Sequence, residues 1–297
     1  MANPKTSSWY GVGAIRSANP GTSFYVDGTN GNDANSGTDP SAPFLTVTAA
    51  LAACTGGQND YVFILDYPST APGTEVFPIA LNKSHVHLIG VPDEASRRNV
   101  CLFCQDGGTN TLELGADADD CEIAGIEFGA TTASCILASA GTPFTCRLHI
   151  HDCEFGWIRT CTNGIEIQAG GADTPHWLVE NNRFGLNCTQ AGIYNNYNST
   201  RSIFRNNIFY VESGAIGYWA AGICSGGFFI LDNYFWTTDN AAGEAITLTN
   251  ANCHAFITGN HAGQGKVACA NNPYLESVAT ASTWVLNYSV GAILNAA

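Results

Sequence analysis

The chain has 297 residues, of which 12% are charged and 45% hydrophobic, with 32 glycines, 12 cysteines, one methionine and a formal net charge of −14. So few charges argue against a surface of Glu- and Lys-rich helices; Asn, Thr, Ser and Gly must face solvent instead, which suits stacked strands and tight turns. With three lysines (Lys5, Lys83, Lys266) and a single basic pair, Arg97 and Arg98, no cationic cluster could displace counterions from phosphate, and no nucleic-acid partner is expected.

The first ten residues, Met1–Tyr10, lack the apolar core of a signal peptide. No segment approaches the ~20 apolar residues that span a bilayer, so synthesis in a cytoplasm and no membrane partner are expected. Phe24–Asp27 reads as a strand, followed by the turn-rich stretch Gly28–Pro40. Thr46–Cys54 has the pattern of a short amphipathic helix, suited to cover the apolar opening of whatever follows. Tyr61–Leu65, Val86–Gly90 and Asn99–Phe103 then supply short, irregularly spaced strands.

From about Leu112 to Gly263 the chain repeats itself. Six segments superimpose: Ile123–Gly129, Ile150–Gly156, Val179–Gly185, Phe204–Tyr210, Ile230–Trp236 and Ile257–Gly263. Their aromatic position falls at Phe128, Phe155, Phe184, Phe209 and Phe235, then Ala262, at intervals of 27, 29, 25, 26 and 27. A second apolar position recurs at Leu112, Ile136, Ile165, Ile193, Ile223 and Ile246. Short alternating runs of this kind are strands, and one repeat is one coil of a solenoid. Asn182, Asn207, Asn233 and Asn260 each precede the aromatic position by two residues. Asn tolerates the left-handed conformation and its amide can bond to neighbours, so these residues read as a turn ladder. The expected organisation is an N-terminal arm (1–23), a parallel β-helix (24–271) and a C-terminal strand or arm (272–297).

The run from Phe24 to Phe44, leading into a small-residue helix that ends at a Cys and then an apolar strand, resembles the opening segment of the pectate-lyase-like β-helix superfamily. More narrowly, it is similar to virion structural β-helix proteins of tailed bacteriophages. The resemblance spans about residues 24–263. It implies an all-β, single-stranded right-handed parallel β-helix with a short N-terminal capping helix. It also implies a capsid-decorating or surface-projecting virion protein, made in the host cytoplasm. Its implied partners are sister copies (a homotrimer), the capsid shell and a host surface glycan. The alternative it leaves open is a short tailspike-like receptor-binding or polysaccharide-depolymerising protein.

Several residue clusters could carry chemistry. Asp119-Asp120 is an adjacent carboxylate pair, but adjacent strand residues face opposite ways, so a polar loop is the expected role. His149 and His151 share a strand face beside Asp152 and could reach one metal ion. No third ligand is evident, since Glu154 faces away. Asp27, Asn30, Asn32, Asp33 and Asp39 have the composition of a calcium loop without its ligand spacing. Cys101 and Cys104 match C-x-x-C once, and the cysteines are expected to be reduced core residues. Trp157, Trp177, Tyr194, Tyr197, Tyr218, Trp219 and Trp236 could form a sugar-stacking flank, a core or a subunit interface. The lyase and hydrolase motifs of the superfamily are missing. No catalytic, metal or cofactor residue is assigned on this reading, and a protein without enzymatic activity is expected.

Overall fold

The computed structural model describes residues 21–68, 71–72, 74–92, 99–139, 146–168, 176–197, 199–211, 214–223, 226–237, 244–263, 274–276, 282–289 and 292–294. Among them each repeat forms one coil of a parallel β-helix and gives a strand to each of three sheets. In one such coil the strands are His149–His151, Glu154–Phe155 and Cys161–Ile167. Their equivalents stack into sheets of ten, nine and eight strands. The pairings are parallel except the last, where Asn287–Ser289 meets Ala292–Leu294 antiparallel. Beyond residue 271 the same path continues through Tyr274–Glu276, Thr283–Val285 and Asn287–Ser289. Residues 1–20 of the expected N-terminal arm, and Arg97 and Arg98, lie outside the described residues.

The repeated motif bends in its middle. Its first half, as in Glu122–Ala124 or Leu178–Glu180, lies in the ten-stranded sheet, and its aromatic half in the nine-stranded sheet. Phe128, Phe155, Phe184, Phe209, Phe235 and Ala262 are direct register partners. Consecutive rings stack at 5.5, 4.9, 4.5 and 4.7 Å between centroids. That spacing follows from the ~4.8 Å separation of paired strands, which brings identical rings into contact coil after coil.

At the bend the left-handed residue is not the ladder Asn, as the sequence suggested, but the residue before it. Gly125, Asp152, Asn181, Asn206, Asp232, Gly259 and Leu286 have φ between 52° and 70°. This turn points the next side chain inward. Asn182, Asn207, Asn233 and Asn260 are therefore buried. Each Oδ1 from Asn207 to Asn260 accepts both the main-chain and the side-chain N–H of the preceding Asn, at 2.9–3.0 Å. Each Nδ2 also donates to a carbonyl of the coil behind. Asn287 adds a further rung.

The second apolar position needs one correction. In register it runs Leu112, Ile136, Ile165, Ile193, Tyr218, Ile246, and Ile223 is not part of it. Ile223 is 52% exposed and lies outside any strand. Tyr218, fully buried, fills the space, and its hydroxyl accepts a hydrogen bond from Asn195 Nδ2 at 2.8 Å.

The helix Val47–Ala53 buries Val47, Ala50 and Leu51 over the first coils. Thr46 caps its start, and Glu75 accepts from the Val47 and Thr48 N–H groups, placing an anion at the positive end of the helix. Lys83 Nζ donates to the carbonyls of Leu51, Ala52 and Cys54 at the other end. The ten cysteines among the described residues are free thiols, eight of them buried. Cys101 and Cys104 point to opposite sides of the strand Val100–Cys104, so their spacing builds no paired site.

Candidate functional site

The outer face of the ten-stranded sheet gathers titratable side chains from six successive coils. One row holds Tyr61, His87, Glu122 and His149 in register. The row two residues further along holds His151, Glu180 and Arg205. Period-two alternation puts His149 and His151 on the same face, and their rings lie 4.1 Å apart. Glu122 sits one coil behind, with Oε1 3.0 Å from His151 Nε2 and Oε2 2.7 Å from His87 Nδ1. Glu180 sits one coil ahead, with Oε1 3.1 Å from His149 Nε2, and Arg205 Nε donates to its Oε2 at 2.7 Å. Asp152 Oδ2 lies 2.7 Å from His151 Nδ1.

Burial works to raise the Glu122 carboxyl, but hydrogen bonds from His151 and His87 outweigh it and hold the group well below the ordinary carboxylate range. The two histidines part company. Burial, and then the neighbouring His151, lower His149. Burial also opposes the charge on His151, yet hydrogen bonds to Glu122 and Asp152 raise it. Donor atoms of Glu122, His149 and His151 all lie within 4.8 Å of one another. A third candidate donor, which the sequence did not reveal, thus comes from the preceding coil. Glu154 does face elsewhere, on the nine-stranded sheet, where it accepts from Arg183 at 2.8 Å.

The aromatic residues divide among three environments. Trp177 and Tyr218 are core. Tyr194 and Trp219 pair at 4.8 Å on the eight-stranded sheet, and Tyr197 packs partly buried against the core. Trp236 stands on the outer face of the nine-stranded sheet and Trp157 in the bend just after Glu154–Phe155, 37% and 38% exposed. They belong to a file the sequence did not reveal as such. Trp157 contacts Tyr210 at 5.1 Å, Tyr210 contacts Trp236 at 6.4 Å, and Trp236 contacts Tyr234 at 6.2 Å. Tyr234 stacks on His261 at 5.2 Å, and His261 on Tyr288 at 6.5 Å. Arg183 covers one face of Trp157, 4.4 Å from the ring centre. The recurrence of Tyr210, Tyr234 and Trp236 around the phenylalanine position was the signal available in the sequence.

The remaining clusters are spent on structure. Asp119 Oδ1 accepts the Cys146 N–H, while Asp120, at φ 55°, holds Arg147 through two hydrogen bonds. In the opening loop Asp27 accepts from Thr29 and Asn30, Asn32 from Ala34, Asp33 from Leu45 and Thr46, and Asp39 from Ser41. These oxygens close turns within the loop and tie it to the start of the helix.

Residues 29–129 match a family described as a protein of unknown function (DUF1565). The comparison with curated proteins finds no match. Among solved structures the chain is similar to a rhamnogalacturonan lyase at 14% identity and TM-score 0.43, covering 90% of this chain and 87% of that one. It is also similar to an alginate lyase from Paenibacillus sp. str. FPU-7 at 12% identity and TM-score 0.39, covering 79% and 97%. Likeness at this level speaks to the fold alone. Both neighbours are named as lyases, which runs against the expectation of a protein without enzymatic activity. That expectation rested on the resemblance and on missing motifs, and a solenoid assembles its clusters across coils, as Glu122 and His151 demonstrate across 29 residues.

Proposed function

We propose that this protein acts on a polysaccharide, held as an extended chain along the outer face of the nine-stranded sheet. The observation that carries this reading is the file of rings from Trp157 through Tyr210, Trp236, Tyr234 and His261 to Tyr288, which follows the solenoid axis and stays partly open to solvent. Aromatic faces attract positively polarised hydrogens, and the flat C–H faces of pyranose rings offer them. An exposed apolar file of this length is a mark of an interaction surface. Tyr210–Trp236, Tyr234–His261 and His261–Tyr288 join adjacent coils, Trp157 reaches across one coil to Tyr210, and Trp236 and Tyr234 share a strand, so a polymer lying along the file can meet several rings in succession. The net charge of −14 favours a neutral glycan over a polyanionic one. The setting that fits is the alternative left open by the opening segment, a short tailed-phage protein that contacts and depolymerises a host surface glycan.

Electrophoresis through gels containing neutral or acidic polysaccharides tests this reading, together with release of reducing ends from the same polymers. Retardation by at least one neutral polymer is expected, with loss of retardation in the Trp157→Ala/Trp236→Ala double variant. Equal retardation of the wild type and the double variant, or none with any polymer, overturns it.

A further inference from the structure

The cluster on the ten-stranded sheet lies on a different face and supports a different activity. We propose that Glu122, His149 and His151 form a binding site for one divalent transition-metal ion of the zinc type, open to solvent on its outer side.

Three features carry the assignment. The first is the donor set. Two imidazoles and one carboxylate suit Zn²⁺, Co²⁺ or Ni²⁺, whereas Ca²⁺ asks for six to eight oxygens. The second is distance. Ligands of a tetrahedral zinc ion, each about 2.0–2.2 Å from the metal, lie roughly 3.3–3.5 Å from one another. The three donor atoms fall within 4.8 Å, with Glu122 Oε1 and His151 Nε2 already at 3.0 Å, so small side-chain rotations close the set.

The third feature is the surrounding shell. Metal-bound histidines characteristically give their second ring nitrogen to a carboxylate or carbonyl, which fixes the tautomer and orients the ring. Here Asp152 takes His151 Nδ1, leaving Nε2 for the ion. Glu180 stands 3.1 Å from His149 Nε2 and is itself anchored by Arg205, so His149 too has a fixed carboxylate beside it. His87 holds the far oxygen of Glu122, leaving Oε1 toward the two histidines. All three ligands come from adjacent strands of one sheet, and each is only partly buried. Three protein ligands on a solvent-facing surface leave a coordination position for water or substrate, the arrangement of catalytic zinc sites.

The test uses the full-length protein, stripped with chelator, titrated with Zn²⁺ by calorimetry and with Co²⁺ by absorption. One Zn²⁺ per chain is expected, with no competition from a large excess of Ca²⁺. His149→Ala and His151→Ala should lose the site while the far-ultraviolet circular dichroism stays that of wild type, because both side chains point away from the core. Asp152→Asn, which touches the shell but not the ion, should weaken binding about 10- to 100-fold. Bound Co²⁺ should give visible bands of a nitrogen- and oxygen-ligated ion. Intense near-ultraviolet thiolate bands would move the ion to the cysteines and overturn the assignment. Unchanged Zn²⁺ affinity in both histidine variants, or Ca²⁺ binding as well as Zn²⁺, would overturn it too. None of these readouts involves the aromatic file, so this proposal and the polysaccharide reading stand or fall separately.

Discussion

Replacing Asn207 by Ala should destabilise the solenoid far more than replacing its neighbour Asn206, although the two are adjacent Asn residues in the same turn. Asn207 is fully buried and takes part in five ladder hydrogen bonds. Four use its side chain: Oδ1 accepts the main-chain N–H and the Nδ2 of Asn182, while Nδ2 donates to the Val179 carbonyl and to Asn233 Oδ1, all at 3.0 Å. Truncation to Ala strips two buried donors on Asn182 of this acceptor. A buried donor left without a partner costs about 1–3 kcal/mol, so the two together give ~2–6 kcal/mol. The side chain of Asn182 keeps its bond to the Ile150 carbonyl, which places the expected loss toward the lower half of that range. Asn206, in contrast, is exposed at φ 54°, and its role is conformational. Asn206→Gly should be close to neutral, and Asn206→Ala should cost about 1–2 kcal/mol for holding a Cβ in the left-handed region. Urea unfolding followed by circular dichroism measures all three. The reasoning fails if Asn207→Ala costs less than Asn206→Ala.

Gly192→Ala should destabilise by a mechanism of overpacking, because a Cβ there would lie 2.6 Å from Phe209 Cδ1, within the stacked ring column. A loss of about 1–3 kcal/mol is expected in the same urea assay, and a variant as stable as wild type would mean that the ring column yields freely. The thiols give a chemical check. Burial, the leading cause in each case, pushes Cys54, Cys121 and Cys153 up to about 12, so almost no thiolate exists at neutral pH. Alkylation followed by mass spectrometry should leave these three unmodified in the native protein at pH 7.5 and modify them in denaturant. Rapid native labelling of Cys153 would contradict its place in the core.

The solenoid was legible in the sequence because its physics is one-dimensional. Each coil meets only its neighbours, so the register of a strand appears as a nearly constant interval, and Phe128, Phe155, Phe184, Phe209 and Phe235 carried that interval unaided. The capping helix was equally plain, since Thr46 and the small apolar run after it act locally. Where turn lengths vary from coil to coil, the interval misleads: Ile223 held the expected place in the chain, but the core took Tyr218. The ladder Asn residues were visible as a period, yet their burial depends on a left-handed residue one step earlier, which composition does not mark when it is Asp232 or Leu286. The candidate sites were the least legible, and for a physical reason. Stacking brings residues one or two coils apart into contact, so Glu122 reaches His151, and Trp157 reaches Tyr210, across stretches of chain that local sequence patterns cannot join. The sequence by itself determined the coil and its repeat; which side chains share an outer face was decided only when the coils stacked.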